Sequence, residues 1–148
     1  MPNLTSTVVL LALVALPACA TPKPSAEQLY GSWRVAEVIC QACGGPVLSL
    51  KNKVIEIDKT RVVNPSGDNC QGSPGLDFVK EMQSKQVLAG VGKSWPQPVH
   101  DAVAAHTRIL YGFVTCSDIN YMQIALVSSD AAFYFLEGNI ALALTRVR

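Results

Sequence analysis

The 148-residue chain lacks the signatures of catalysis, metal binding and nucleic-acid binding. Its two histidines, His100 and His106, are six positions apart, which excludes the i, i+4 pair of a helical zinc site. It has no Gly-x-Ser-x-Gly elbow, no phosphate-binding glycine loop and no paired-carboxylate motif. Twelve Lys and Arg balance eleven Asp and Glu without a basic stripe, so nucleic acid is not an expected partner. The sequence predicts a non-enzymatic protein without a metal or other cofactor.

The N-terminal apolar run is too short to span a bilayer. Val8 to Leu16 is nine residues long, which suits the core of a secretory signal peptide. The following Leu16-Pro17-Ala18-Cys19 resembles the lipobox of bacterial lipoproteins, whose cysteine is lipidated and becomes the new N-terminus. Ala18-Cys19-Ala20 also fits ordinary cleavage between small residues, which would discard Cys19. We favour lipid attachment at Cys19.

The leader divides the chain into three parts. We interpret residues 1–20 as the signal peptide, residues 21–26 as a tether, and residues 27–148 as a single disulfide-containing β-barrel domain. This organisation predicts an exported protein of the bacterial periplasm, attached to the surface of the outer membrane through its lipid.

Four cysteines remain after the leader: Cys40, Cys43, Cys70 and Cys116. An even number in an oxidising compartment predicts two disulfides, in any of three pairings. The close pair in Cys40-Gln41-Ala42-Cys43 also suggests thiol–disulfide redox chemistry, but the following Gly44-Gly45-Pro46 favours a loop over the helix N-terminus that such chemistry uses. Because no second close pair exists, zinc is not favoured. We expect structural disulfides, with redox activity as the alternative.

Hydrophobic patterning predicts a mainly β fold. Segments 109–116, 121–127, 131–136 and 140–147 are strand-like, and three-residue connections such as Ser128-Ser129-Asp130 and Glu137-Gly138-Asn139 make them an antiparallel meander. Gly112 predicts a bulge or bend in the first of these strands. Further strands are predicted at 32–40, 53–58, 61–63 and 86–91, and a helix at 98–106. The expected architecture is a small antiparallel up-and-down β-barrel or strongly curved sheet with one or two short helices.

Two details of this pattern bear on the core and on binding. Trp33, Val35 and Ile39 are expected on one face of the first strand, although Glu37 interrupts that face. Trp95-Pro96-Gln97-Pro98 is interpreted either as an exposed aromatic recognition loop or, as we favour, as a segment whose Trp95 plugs one end of the barrel.

The stretch from Ser25 to Trp33 resembles the opening of lipocalin-type barrels, in which a helical turn leads into Gly-x-Trp on the first strand. Gly31 and Trp33 supply that motif. In this family an arginine near the end of the chain packs over the tryptophan, and Arg146 is the matching residue, with Arg148 as a substitute.

The resemblance implies a protein that binds a small apolar or amphipathic ligand. An internal cavity would be lined by residues such as Trp33, Ile124, Leu126, Phe133 and Leu142. A similar Gly-x-Trp strand opens META-type domains and some lysozyme inhibitors. The alternative is therefore a module that binds an envelope protein, such as an inhibitor of a cell-wall hydrolase.

Overall fold

The computed structural model describes residues 25–71, 74–76, 78–116, 119–137 and 139–148. Cys19, the leader and most of the predicted tether lie outside these residues. Across the described ranges, nine antiparallel strands form one sheet in the order β4-β3-β2-β1-β9-β8-β7-β6-β5. The sheet curls into a half-barrel, which confirms the predicted mainly β fold.

The strands are β1 (Gly31–Ile39), β2 (Val54–Ile57), β3 (Arg61–Val63), β4 (Asn69–Gln71), β5 (Lys80–Gln83), β6 (Arg108–Cys116), β7 (Ile119–Ser128), β8 (Ala131–Leu136) and β9 (Ile140–Arg146). The helices are α1 (Gly45–Leu48), α2 (Ser84–Ala89) and α3 (Gln97–Ala104), and short 3-10 turns cover Ala26–Leu29 and Val91–Ser94. The strands predicted at 53–58 and 61–63 appear as the antiparallel pair β2 and β3, and the predicted meander appears as β6 to β9.

One predicted strand is wrong. Residues 86–91 are not extended, because most of them belong to α2. The helix buries Ser84 and Val87, three positions apart, against the sheet and ends at Gly90. A short apolar run cannot be assigned to strand or helix by its pattern alone, and packing on the neighbouring sheet decides here in favour of the helix.

The expected single face of β1 is also corrected. The pairing of β1 with β9 shifts register between Val35 and Glu37, as at a β-bulge. After the shift, Val38 packs with Trp33 and Val35 on the inner face of the half-barrel, whereas Ile39 packs on the outer face. The interruption at Glu37 therefore marks the position where the strand changes its alternation.

The sheet has a separate apolar core on each face. The inner core contains Trp33 and Leu142 and is enclosed by the curled sheet and the first 3-10 turn. The outer core lies under the helices, where Val87, Val99 and Val103 pack on aromatic residues of β6 and β8. Burying both faces is typical of a sheet covered by helices, and here the outer core extends from Met82 on β5 to Ile39 at the end of β1.

A disulfide joins the two ends of the sheet. Cys70 lies on β4, at one edge, and pairs with Cys116 on β6, next to the other edge, with their Cα atoms 5.9 Å apart. Gly75 and Thr115 form an isolated β-bridge beside it, with reciprocal backbone hydrogen bonds of 3.2 and 3.0 Å. The segment that leaves β4 therefore crosses the open side of the half-barrel and is fastened to β6.

Gly112 permits this crossing. A Cβ atom at position 112 would lie 2.0 Å from the backbone oxygen of Phe78, on the segment that leads into β5. The feature behind the predicted bulge or bend is thus a close approach of two backbones, which a side chain would prevent.

Arg146 holds the start of β1. Its guanidinium lies 4.2 Å from the centre of the Trp33 ring and donates hydrogen bonds to the carbonyls of Tyr30 (2.8 Å) and Ser129 (2.7 Å). Gly31 has φ of +129°, and a Cβ atom there would lie 2.8 Å from Arg146 Nη1. The glycine of Gly-x-Trp is therefore needed both for its backbone angle and because the guanidinium occupies the space of a side chain.

No helix within the described ranges has the length and apolar character required to cross a membrane.

We predict unequal contributions from the two disulfides. Replacing Cys70 and Cys116 by Ala should lower the free energy of unfolding by about 4 kcal/mol, because their 46-residue separation restricts the unfolded chain strongly. The matched control replaces Cys40 and Cys43, three residues apart, and should cost about 2 kcal/mol. Guanidinium denaturation measures both values, and equal losses would contradict a special role for the Cys70–Cys116 bridge.

We predict that Arg146→Lys lowers the free energy of unfolding by about 2 kcal/mol, because lysine cannot reach several carbonyls while stacking on an indole. Arg148→Lys is the control, since the Arg148 side chain is 85% exposed and contacts only Asp130 among the described ion pairs. Thermal unfolding of both variants tests this, and a stability of Arg146→Lys equal to that of the control would be the contrary result.

Candidate functional site

The residues expected to line an internal cavity are packed together instead of surrounding a space. Trp33, Ile124 and Leu142 have no exposed surface, and Leu126 has 4%. A water molecule can barely reach these side chains, so they pack against one another and fill the interior. Phe133 does not belong with them, because β8 alternates and directs Phe133 into the outer core.

Two adjoining cavities open on the outer side, at the end of the half-barrel where β1 ends. They share Ser94, Trp95, Pro96, Asn139 and Ile140. One has a volume of about 340 Å³, and its other described lining residues are Val91, Gln123, Phe135 and Leu136. The second has about 450 Å³ and is also lined by Cys40, Gln41, Ala42 and Gln97. We call this pair of cavities the Trp95 cleft.

Trp95 forms the aromatic wall of the cleft. Its ring stacks on Phe135 with centroids 4.3 Å apart and planes at 12°, and it meets Tyr111 at 5.8 Å. Gly92 packs closely against this region, since a Cβ atom there would lie 3.1 Å from Leu88 Cδ2 and 3.2 Å from Trp95 Cε3. Trp95 is half-buried on the outer face. It therefore neither plugs the end of the barrel, as we favoured, nor stands free in a loop.

The segment that carries Trp95 is stiff. Trp95 is extended, with φ of −70° and ψ of 147°, and Pro96 follows with φ of −54° and ψ of 143°. A residue before proline is restricted to such angles, and proline fixes its own φ. Pro98 then occupies the first turn of α3, whose Val99 and Val103 anchor the helix on the sheet. The aromatic wall is thus held in place before any ligand arrives.

Two amide side chains of the cleft are oriented by neighbouring groups. Gln97 Nε2 donates to Asp101 Oδ1 at 2.6 Å, and Gln123 Nε2 donates to the Tyr111 hydroxyl. Burial raises the pKa of Tyr111 above its usual value, and the hydrogen bond from Gln123 opposes that shift. The tyrosine is therefore neutral at physiological pH, and its hydroxyl oxygen accepts the hydrogen bond from Gln123.

A disulfide adjoins the cleft. Cys40 and Cys43 are bonded to each other with Cα atoms 6.0 Å apart, and both are half-buried outside the two apolar cores. Their pairing resolves the three alternatives that the sequence left open. The bridge begins at Cys40, the residue that follows β1, and so closes the loop whose Cys40, Gln41 and Ala42 line the second cavity together with Trp95.

The predicted site residues therefore fall into separate places. Gly31, Trp33 and Arg146 are together at the end of the half-barrel opposite the cleft, and Cys70 and Cys116 close its side. Lipid attachment at Cys19 lies outside the described residues. Within those residues, no group of three or more His, Cys, Asp or Glu side chains could hold a metal ion.

Sequence reasoning missed the polar part of the cleft. Gln123 lies in a strand and Asn139 in a turn, so each had an ordinary structural explanation. Asn139 has φ of +60°, a conformation that asparagine adopts more readily than most residues, and this accounts for it as a turn residue. The sequence signals in this region were Trp95, a tryptophan followed by Pro96 and Pro98, and the close pair of Cys40 and Cys43.

The fold is a curled antiparallel half-barrel with a filled interior and an external cleft. Comparisons with protein-family models, curated proteins and solved structures found no match. The lipocalin-type resemblance stays a prediction.

Proposed function

We propose that the protein is an exported binding protein of the bacterial cell envelope, which holds an uncharged amphipathic small molecule in the Trp95 cleft. The observation that carries the proposal is the pre-formed cleft itself. It combines a stacked aromatic wall with oriented amide groups, at a volume within the range of small-molecule sites, about 300–1,000 Å³.

The ligand expected from the lipocalin-type resemblance is retained, but its position is different. The inner core leaves no room beside Trp33 or Leu142, so a ligand there would have to displace buried side chains. The Trp95 cleft needs no such rearrangement, because its aromatic and proline residues are already fixed by packing.

The start of the described chain and the cleft are at opposite ends of β1. The first described residue, Ser25, precedes the start of β1, which Arg146 contacts, and the cleft lies at the other end of this strand. The nine residues of β1 span roughly 30 Å. A lipid on Cys19 would therefore be connected to the fold through the end of β1 that lies away from the cleft.

We predict that the neutral fluorophore N-phenyl-1-naphthylamine binds with one molecule per chain and that Trp95→Ala weakens binding about tenfold, because truncation removes the aromatic wall. Fluorescence titration of the fluorophore measures both affinities. The control is Phe78→Ala, which removes an aromatic side chain that is 63% exposed and does not line the cleft. Equal affinities of native protein and Trp95→Ala would refute the proposed site.

We predict that Cys19→Ser abolishes attachment to membranes, because the lipid requires the thiol. Fractionation of cells that express the full chain, followed by mass spectrometry of the envelope fraction, measures attachment and detects the lipid. Recovery of the Cys19→Ser variant in the membrane fraction at the native level would contradict anchoring through this residue. The outcome is independent of the test of the cleft.

A further inference from the structure

We infer that the ligand of the Trp95 cleft is a neutral oligosaccharide; this inference rests on the proposed function and names its ligand class. Three properties of the cleft carry it: the absence of charge among the described lining residues, the number of amide groups, and the single indole wall. Each property restricts the chemistry of the ligand in a different way.

The described lining residues include no Lys, Arg, His, Asp or Glu. Taking an ionised ligand out of water is costly unless a group of opposite charge accompanies it in the site. A charged ligand would therefore lose water here without gaining a counter-charge. The lining favours an uncharged molecule.

Four of the described lining residues carry side-chain amides: Gln41, Gln97, Gln123 and Asn139. Each amide has two N–H donors and a carbonyl acceptor. One N–H of Gln97 and one of Gln123 are engaged by Asp101 and Tyr111, which leaves each with a donor and an acceptor and limits its rotation. A hydroxyl group also both donates and accepts, so a hydroxyl-rich ligand matches these amides.

The indole of Trp95 selects the shape of the ligand. One of its faces lies on Phe135, so a ligand in the cleft meets the other face or the ring edge. A pyranose ring presents a flat array of C–H groups on one face and hydroxyls at its rim. Such a ring can stack on the indole while its hydroxyls meet the amides, as sites with an apolar wall and a few fixed polar groups require.

Two other occupants fit less well. An acyl chain would leave the amide groups without partners as it displaced their water, which is unfavourable. A peptide that adds a strand needs an open sheet edge, and the edges of this sheet are β4 and β5, whereas the cleft lies at strand ends.

The experiment titrates the full-length protein with tetramers of glucose and of N-acetylglucosamine, both β-1,4-linked and neutral, and with tetragalacturonate as the charged control. Calorimetry measures affinity. We expect a neutral tetramer to bind at least about tenfold more tightly than tetragalacturonate. Trp95→Ala and Gln97→Leu should each weaken binding about tenfold, Trp95→Phe should retain it within about threefold, and Phe78→Ala should not change it.

The inference and the proposed function fail differently. If N-phenyl-1-naphthylamine binds but neither neutral tetramer binds up to about 10 mM, the saccharide inference is wrong and the proposed function stands. Equal binding of tetragalacturonate, or saccharide binding that survives Trp95→Ala, also overturns the inference. If neither the fluorophore nor a saccharide binds, both proposals fail.

Discussion

The disulfide between Cys70 and Cys116 is the constraint on which the rest of the structure depends. A nine-stranded sheet with two open edges could flatten. This bond holds the edge strand β4 next to β6, the neighbour of the other edge strand, β5. The crossing segment can reach β6 because Gly112 has no side chain. The bond thus fixes the curled form of the sheet, whose inner face is filled by its own side chains, such as Trp33 and Leu142.

Because the interior is filled, we place the proposed ligand on the outer face. The outer core extends on that face from β5 to the end of β1, and its helical cover stops at the segment that contains Trp95 and Pro96. The cleft arises where this cover ends, between the helical layer, the β8–β9 turn and the loop closed by Cys40 and Cys43. The cleft thus shares Trp95 and Phe135 with the outer core, whereas Leu136 is its only described lining residue that packs against the inner core.

The sequence was sufficient for features that depend on local pattern. The meander follows from alternation in β7 to β9, and the contact of Trp33 with Arg146 was anticipated from a short family motif. It was not sufficient where distant segments meet. The pairing of Cys70 with Cys116 depends on curvature, the change of alternation near Glu37 depends on a bulge, and α2 depends on packing against the sheet. The cleft is formed by four segments that are distant in the chain, so the spacing of residues in the sequence could not predict its lining.

The central claim is that ligand binds outside a filled half-barrel. The chain has two tryptophans, one in each candidate location: Trp33, whose indole N–H is bonded to the Leu29 carbonyl at 2.8 Å, and Trp95 in the cleft. The most direct measurement is the nitrogen–proton correlation spectrum of the two indole groups during titration with N-phenyl-1-naphthylamine. Our account predicts that the Trp95 signal shifts while the Trp33 signal stays unchanged. A shift of Trp33 alone would place the ligand inside and contradict the account.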